Sequence, residues 1–164
     1  MYKLMSVALV ALTTMVTITS AAPEAEAGGH AGWMTDFEAA KKLAAEKKRP
    51  ILADFSGSDW CGWCIKLDKE VFSKKPFKAY AKQNVVLFLA DFPSRTEQPA
   101  KLKAQNEKLA KTYGVRGFPT VLLLDAKAKV IGRTGYQAGG PEAYVKHIKE
   151  LLAKAKAKPA ASAN

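Results

Sequence analysis

Cysteine is almost missing from this chain: its 164 residues hold two, Cys61 and Cys64, in the spacing Cys-x-x-Cys. That scarcity excludes a disulfide framework, which needs several bridges tying distant segments together. As a staple the pair closes almost no loop and would restrain the unfolded chain little. Histidine is as scarce, with His30 and His147. Structural zinc takes four ligands, and these histidines stand far from the cysteines in sequence, so neither a metal nor another cofactor is expected. A membrane span is missing too: Leu4 to Ile18 is mostly apolar, but a span wants roughly 20 such residues. No internal repeat is present. Acidic residues are in deficit, 15 against 26 basic, for a formal net charge of +11.

The short apolar run has a different reading. Lys3 precedes it, and small residues follow through Thr19 to Ala22 and Ala25 to Ala27. This is the form of a secretory signal peptide over residues 1–27, cut between about positions 21 and 27. Export to an oxidising compartment is then expected, the periplasm in a Gram-negative cell and secretion otherwise. Two neighbouring cysteines in such a compartment read as a working redox couple. One domain is expected over 33–153, followed by a disordered Lys/Ala-rich tail over 154–164. The lysines lie along most of the chain without a cluster interleaved by aromatics, so they read as solvated helix faces. No nucleic-acid partner is expected, and the chain should be a monomer.

Periodicity supplies the elements. Thr35-Asp36-Phe37-Glu38 has the form of a capping box with Thr35 at the cap, and a helix should run to about Lys48, ended by Pro50. Ile51 to Phe55 reads as a strand, and a helix begins near Cys61. Ser73 is the expected cap of a second helical piece. Val85 to Leu89 is a continuous apolar run, as for a central strand covered on both faces. Ala100 to Tyr113 reads as a helix stopped by Gly114. Thr120 to Leu124 and Lys129 to Arg133 form a hairpin, and Gly140-Pro141 opens the last helix. Helix-linked strands followed by a hairpin predict one mixed sheet with helices on both faces.

Only a thiolate attacks a disulfide, so one cysteine needs a lowered pKa and access. Cys61 falls at a predicted helix start, where free N–H groups and the dipole favour an anion. Cys64, one turn further on, is placed to resolve a mixed disulfide. Gly62 permits close backbone approach. Trp63 carries no charge that could stabilise the thiolate. Asp54, on the preceding strand, is the candidate proton carrier if buried, whereas Asp59 reads as a solvated loop carboxylate. Far along the chain, Gly117-Phe118-Pro119-Thr120 stands before a strand, where the backbone of Phe118 could pair with an extended peptide.

Together, Asp54, Trp60-Cys61-Gly62-Trp63-Cys64, the strand ending at Asp91 and Tyr113 to Thr120 resemble the thioredoxin superfamily, over about Asp36 to Leu152. The segment Cys64 to Ser73 looks most like exported thioredoxin-like proteins and the C-terminal domain of membrane thiol reductases. The resemblance implies an α/β thioredoxin-like fold with Cys61 as nucleophile, Cys64 as resolving thiol, Asp54 as buried proton relay and Pro119 cis against the pair. It implies Trp60, Gly62, Trp63, Phe118, Pro119 and Gly135 as the substrate-binding surface. Two departures stand out. The loop between Asp54 and Cys61 is one residue longer than in ordinary thioredoxin, and an apolar residue near Leu87 replaces the lysine that accompanies the aspartate. The function implied is an exported thiol–disulfide oxidoreductase, leaning to reduction or isomerisation. Its partners would be protein disulfides or dithiols and a redox partner protein such as a membrane thiol reductase. The competing function is a thioredoxin-fold binding or chaperone module without redox turnover.

Overall fold

The computed structural model describes residues 32–157. The signal-peptide reading, His30 and the end of the expected tail lie outside the described residues.

Helix α1 (Phe37–Lys47) is capped by Asp36, whose side chain accepts from the Ala39 N–H at 3.0 Å. The cap therefore falls one residue later than the Thr35 expected from the box pattern. The helix ends where Lys48 turns left-handed at φ 52°, two residues ahead of Pro50. Strand β1 (Ile51–Ser56) follows, and every one of its residues is buried. Next come α2 (Gly62–Leu67), a π-helical segment (Asp68–Phe72) and α3 (Lys75–Asn84). Lys74, not Ser73, occupies the cap of α3, with Pro76 in its first turn. The remaining elements are β2 (Val86–Asp91), α4 (Ala100–Thr112), β3 (Thr120–Leu124), β4 (Val130–Thr134) and α5 (Gly140–Ala157). Helix α5 runs through Lys154 to Ala157, into the stretch expected to be disordered tail.

The sheet has the order β2-β1-β3-β4, with β1 and β2 parallel and the other pairs antiparallel. It is the mixed sheet expected, but β1 rather than β2 holds the centre. Strand β2 is apolar because both of its faces are covered, and its outer edge is met by one further bridge. There Met34 pairs with Phe88, the Met34 N–H donating to Leu87 O at 3.0 Å and the Leu89 N–H to Met34 O at 2.8 Å.

Side chains alternate across the sheet. Ile51, Ala53 and Phe55 enter the core shared with α1 and α4, where Phe37 meets Phe88 edge-on at 5.0 Å. Leu52 enters the opposite core, shared with α2, α3 and α5. Phe72 organises that side, its ring 5.0 Å from Trp33, 4.8 Å from Phe77 and 5.7 Å from Tyr144. By the same alternation Asp54 points toward the α2 side of the sheet.

Candidate active site

The chain leaves β1 at Ser56 and turns into α2 through Gly57 to Trp60. Gly57 is required here: a Cβ on it would lie 2.5 Å from the Trp60 indole. Its carbonyl accepts the N–H of Cys61 at 2.8 Å, which sets the helix entry. Cys61 is then the N-cap of α2 in extended conformation, and its Sγ accepts from the Cys64 N–H at 3.2 Å. A disulfide joins Cys61 and Cys64. Both are buried, while Gly62 and Trp63 between them are exposed. The sequence pattern thus becomes a helix start that offers backbone N–H groups to the first sulfur, the setting that favours a thiolate once the bond opens.

Asp54 is buried in mid-β1, paired across the sheet with Leu89 and Val121. It lies near Tyr144, whose phenol is pushed far above its ordinary pKa, first by burial and then by the charge of Asp54. The Tyr144 hydroxyl donates to Gly135 O at 3.2 Å. Leu87 packs at the margin of the same core.

Beside Trp60 stands Phe118-Pro119, whose peptide bond is cis. Gly135 closes on it: a Cβ there would sit 3.0 Å from Pro119 O. Phe118 is held by two aromatic neighbours, Trp60 with ring centroids 5.9 Å apart and Phe92 at 5.0 Å. The Trp60 indole N–H donates to Phe92 O at 2.7 Å. Trp60, Trp63 and Ile65 are each about half exposed, an apolar surface beside the disulfide.

Sequence reasoning reads Phe92 to Pro99 as a polar loop but misses its part in the site. Asp91, opposite Ser56 in the parallel register, accepts the Ser58 N–H at 2.9 Å and its hydroxyl at 2.6 Å. Asp59 is not merely solvated. Its carboxylate accepts the N–H groups of Ser94, Arg95 and Thr96 at 2.9, 2.8 and 3.0 Å, so it anchors residues 94–96 to the motif loop. The parallel pairing that brings Ser56 and Asp91 together was the signal that the two loops would meet. Glu70 and Tyr136 were missed as well: the Tyr136 hydroxyl donates to Glu70 Oε2 at 2.6 Å. That contact depends on the π-helical segment, which no periodicity announced.

A strand-to-helix Cys-x-x-Cys that forms a disulfide, with a Phe-Pro segment at the entrance to β3 packed on the adjoining Trp60, is the arrangement of a thiol–disulfide oxidoreductase. The family model described as a thioredoxin-like domain matches residues 37–152. The chain is 36% identical to the disulfide bond reductase DsbH of Chlamydia pneumoniae over 120 residues, 73% of this chain and 72% of that protein. It superposes on a solved DsbH oxidoreductase with a TM-score of 0.72 and 31% identity, covering 85% of this chain and 95% of the other. It is also 29% identical over 92 residues to the thiol:disulfide interchange protein DsbD of Actinobacillus pleuropneumoniae, 56% of this chain but 14% of that protein. The chain belongs to the thioredoxin-like family.

Proposed function

We propose that this chain is an exported reductase of protein disulfides. In its dithiol form the Cys61 thiolate attacks one sulfur of a substrate disulfide. A mixed disulfide forms and the other substrate sulfur leaves as a thiolate. Cys64, deprotonated with Asp54 as relay, then attacks Cys61 Sγ. The Cys61–Cys64 disulfide forms, and the second substrate thiolate departs. Two electrons have passed to the substrate, and the oxidised pair awaits re-reduction by a redox partner protein such as a membrane thiol reductase. Phe118, Pro119 and Gly135 take the substrate chain together with Trp60, Gly62 and Trp63.

The observation that carries this reading is Cys61 at the helix cap with Sγ accepting the Cys64 N–H, which favours the first cysteine as the attacking anion. The lean to reduction is supported by the name and 36% identity of the DsbH reductase. The likeness to DsbD supports a partner in the same class of thiol-exchange proteins. Export is supported by the signal-peptide form of residues 1–27, the domain extent of 33–153 by the family match over 37–152.

Cys61→Ser should abolish insulin reduction, and Cys64→Ser should accumulate a mixed disulfide visible on a non-reducing gel. The reverse pattern would reassign the two roles. A wild-type protein without turnover, whose partner binding survives both substitutions, would leave the fold as a binding module. Titration against glutathione decides direction: a potential near the oxidising end of the family range, about −120 mV, would count against a reductase.

A further inference from the structure

Beside Cys64 lies a compact group that none of the exchange steps uses. Trp63 is 57% exposed, and a side chain so free would ordinarily sample several rotamers. Here two contacts hold it, and a third joins the two partners. The Tyr136 ring lies 5.1 Å from its ring, and the Lys66 ammonium stands 5.1 Å from the Trp63 ring and 5.2 Å from that of Tyr136. Glu70 closes the group, accepting from the Tyr136 hydroxyl at 2.6 Å and facing the Lys66 Nζ at 3.9 Å. Tyr136 directly follows Gly135, the residue that presses on Pro119 O. One hydrogen bond therefore ties the loop that adjoins Pro119 to the π-helical segment that directly continues α2, the helix of the cysteines.

We propose that Tyr136 is a positioning residue: bonded to Glu70, it fixes Trp63 and the 135–136 loop as a rigid wall against which a polypeptide disulfide docks, and so sets the preference for protein over low-molecular-weight disulfides. The proposal rests on the reductase reading above. A disulfide within a folded chain must lay several residues across this wall and the adjoining Phe118-Pro119, whereas a small disulfide needs only Cys61. Wall rigidity thus enters protein binding as ordering already completed before docking. A carboxylate acceptor makes the bond a strong one, and Glu70 holds the Tyr136 phenol above its ordinary pKa, chiefly through that hydrogen bond.

The test compares kcat/KM for insulin with that for oxidised glutathione, using the full domain recycled by dithiothreitol. Tyr136→Phe keeps the ring and deletes the bond. The insulin-to-glutathione ratio should fall about three- to tenfold, the scale of one lost hydrogen bond, through a raised KM for insulin. Glu70→Gln retains an acceptor and should keep the ratio, whereas Glu70→Ala should lower it as Tyr136→Phe does. The alanine variant breaks the bond from the exposed side and carries the test should the phenylalanine variant fold poorly. A ratio that does not move in Tyr136→Phe and Glu70→Ala, including an equal loss on both substrates, would overturn the proposal. Wild-type protein that reduces neither substrate would instead overturn the reductase reading itself.

Discussion

Asp59 shows how one side chain can set the shape of a site it takes no chemical part in. Its carboxylate gathers three backbone N–H groups from residues 94–96, and these hold its pKa below the ordinary carboxylate range, the Ser94 bond contributing most. A carboxyl with a lowered folded pKa stabilises its arrangement fully above the unfolded value, about 3.9. That contribution fades as pH falls through the folded one. The protection factors of the Ser94, Arg95 and Thr96 amides should therefore fall as the solution is acidified below about pH 4. Asp59→Ala should produce the same loss of protection at neutral pH while the β1 amides stay protected. Unchanged protection of the three amides in that variant would mean the loop is held by Trp60 and Phe92 alone. Nothing in the residues themselves distinguished Asp59 from a solvated loop carboxylate, because its partners lie more than thirty positions away and are backbone groups. The cysteines, by contrast, were legible directly. Their spacing and the apolar strand ahead of them already implied a helix start, and a helix start fixes which sulfur meets the N–H groups.

Among the elements, the π-helical segment Asp68–Phe72 has the largest structural consequence. Its wider turn, closed by the Ser73 N–H on Asp68 O at 2.9 Å, lets Phe72 enter the core while Glu70 faces Tyr136. Phe72 is fully enclosed by Trp33, Phe77 and Tyr144. Phe72→Ala should therefore cost about 3–5 kcal/mol of stability, measured by denaturant unfolding of the oxidised protein. A loss below about 1 kcal/mol would show that the neighbours collapse into the space. Sequence periodicity gave a helix here but not its class, since one extra residue in a turn leaves the apolar pattern almost intact. The same limit explains β2. Its unbroken Val85 to Leu89 run reports coverage on both faces, not rank within the sheet, so an edge strand under α1 and α3 reads like a central one. The hairpin of β3 and β4 was predicted well because turn residues between two apolar runs leave few alternatives.

At the scale of the whole molecule, the fold brings three distant segments, 57–64, 117–120 and 135–136, around one disulfide. The fold and the redox pair were readable because two separated motifs occurred in the right order. The walls of the site were not, since they arise where loops from different strands meet. The proposed export makes a simple prediction. Expressed from Met1 in a Gram-negative host, the chain should appear outside the cytosol with a mass corresponding to cleavage between about positions 21 and 27. A full-length cytosolic product beginning at Met1 would contradict that reading.

The Met34 bridge sets a limit on how far the chain can be trimmed. Those two hydrogen bonds occupy an edge of β2 that would otherwise present unpaired N–H and C=O groups to other molecules. A cleavage on the N-terminal side of Met34 leaves the edge covered. A cut a few residues later would do more than shorten the protein: it would expose the β2 edge as a template for pairing with a second copy, and so as a seed for self-association.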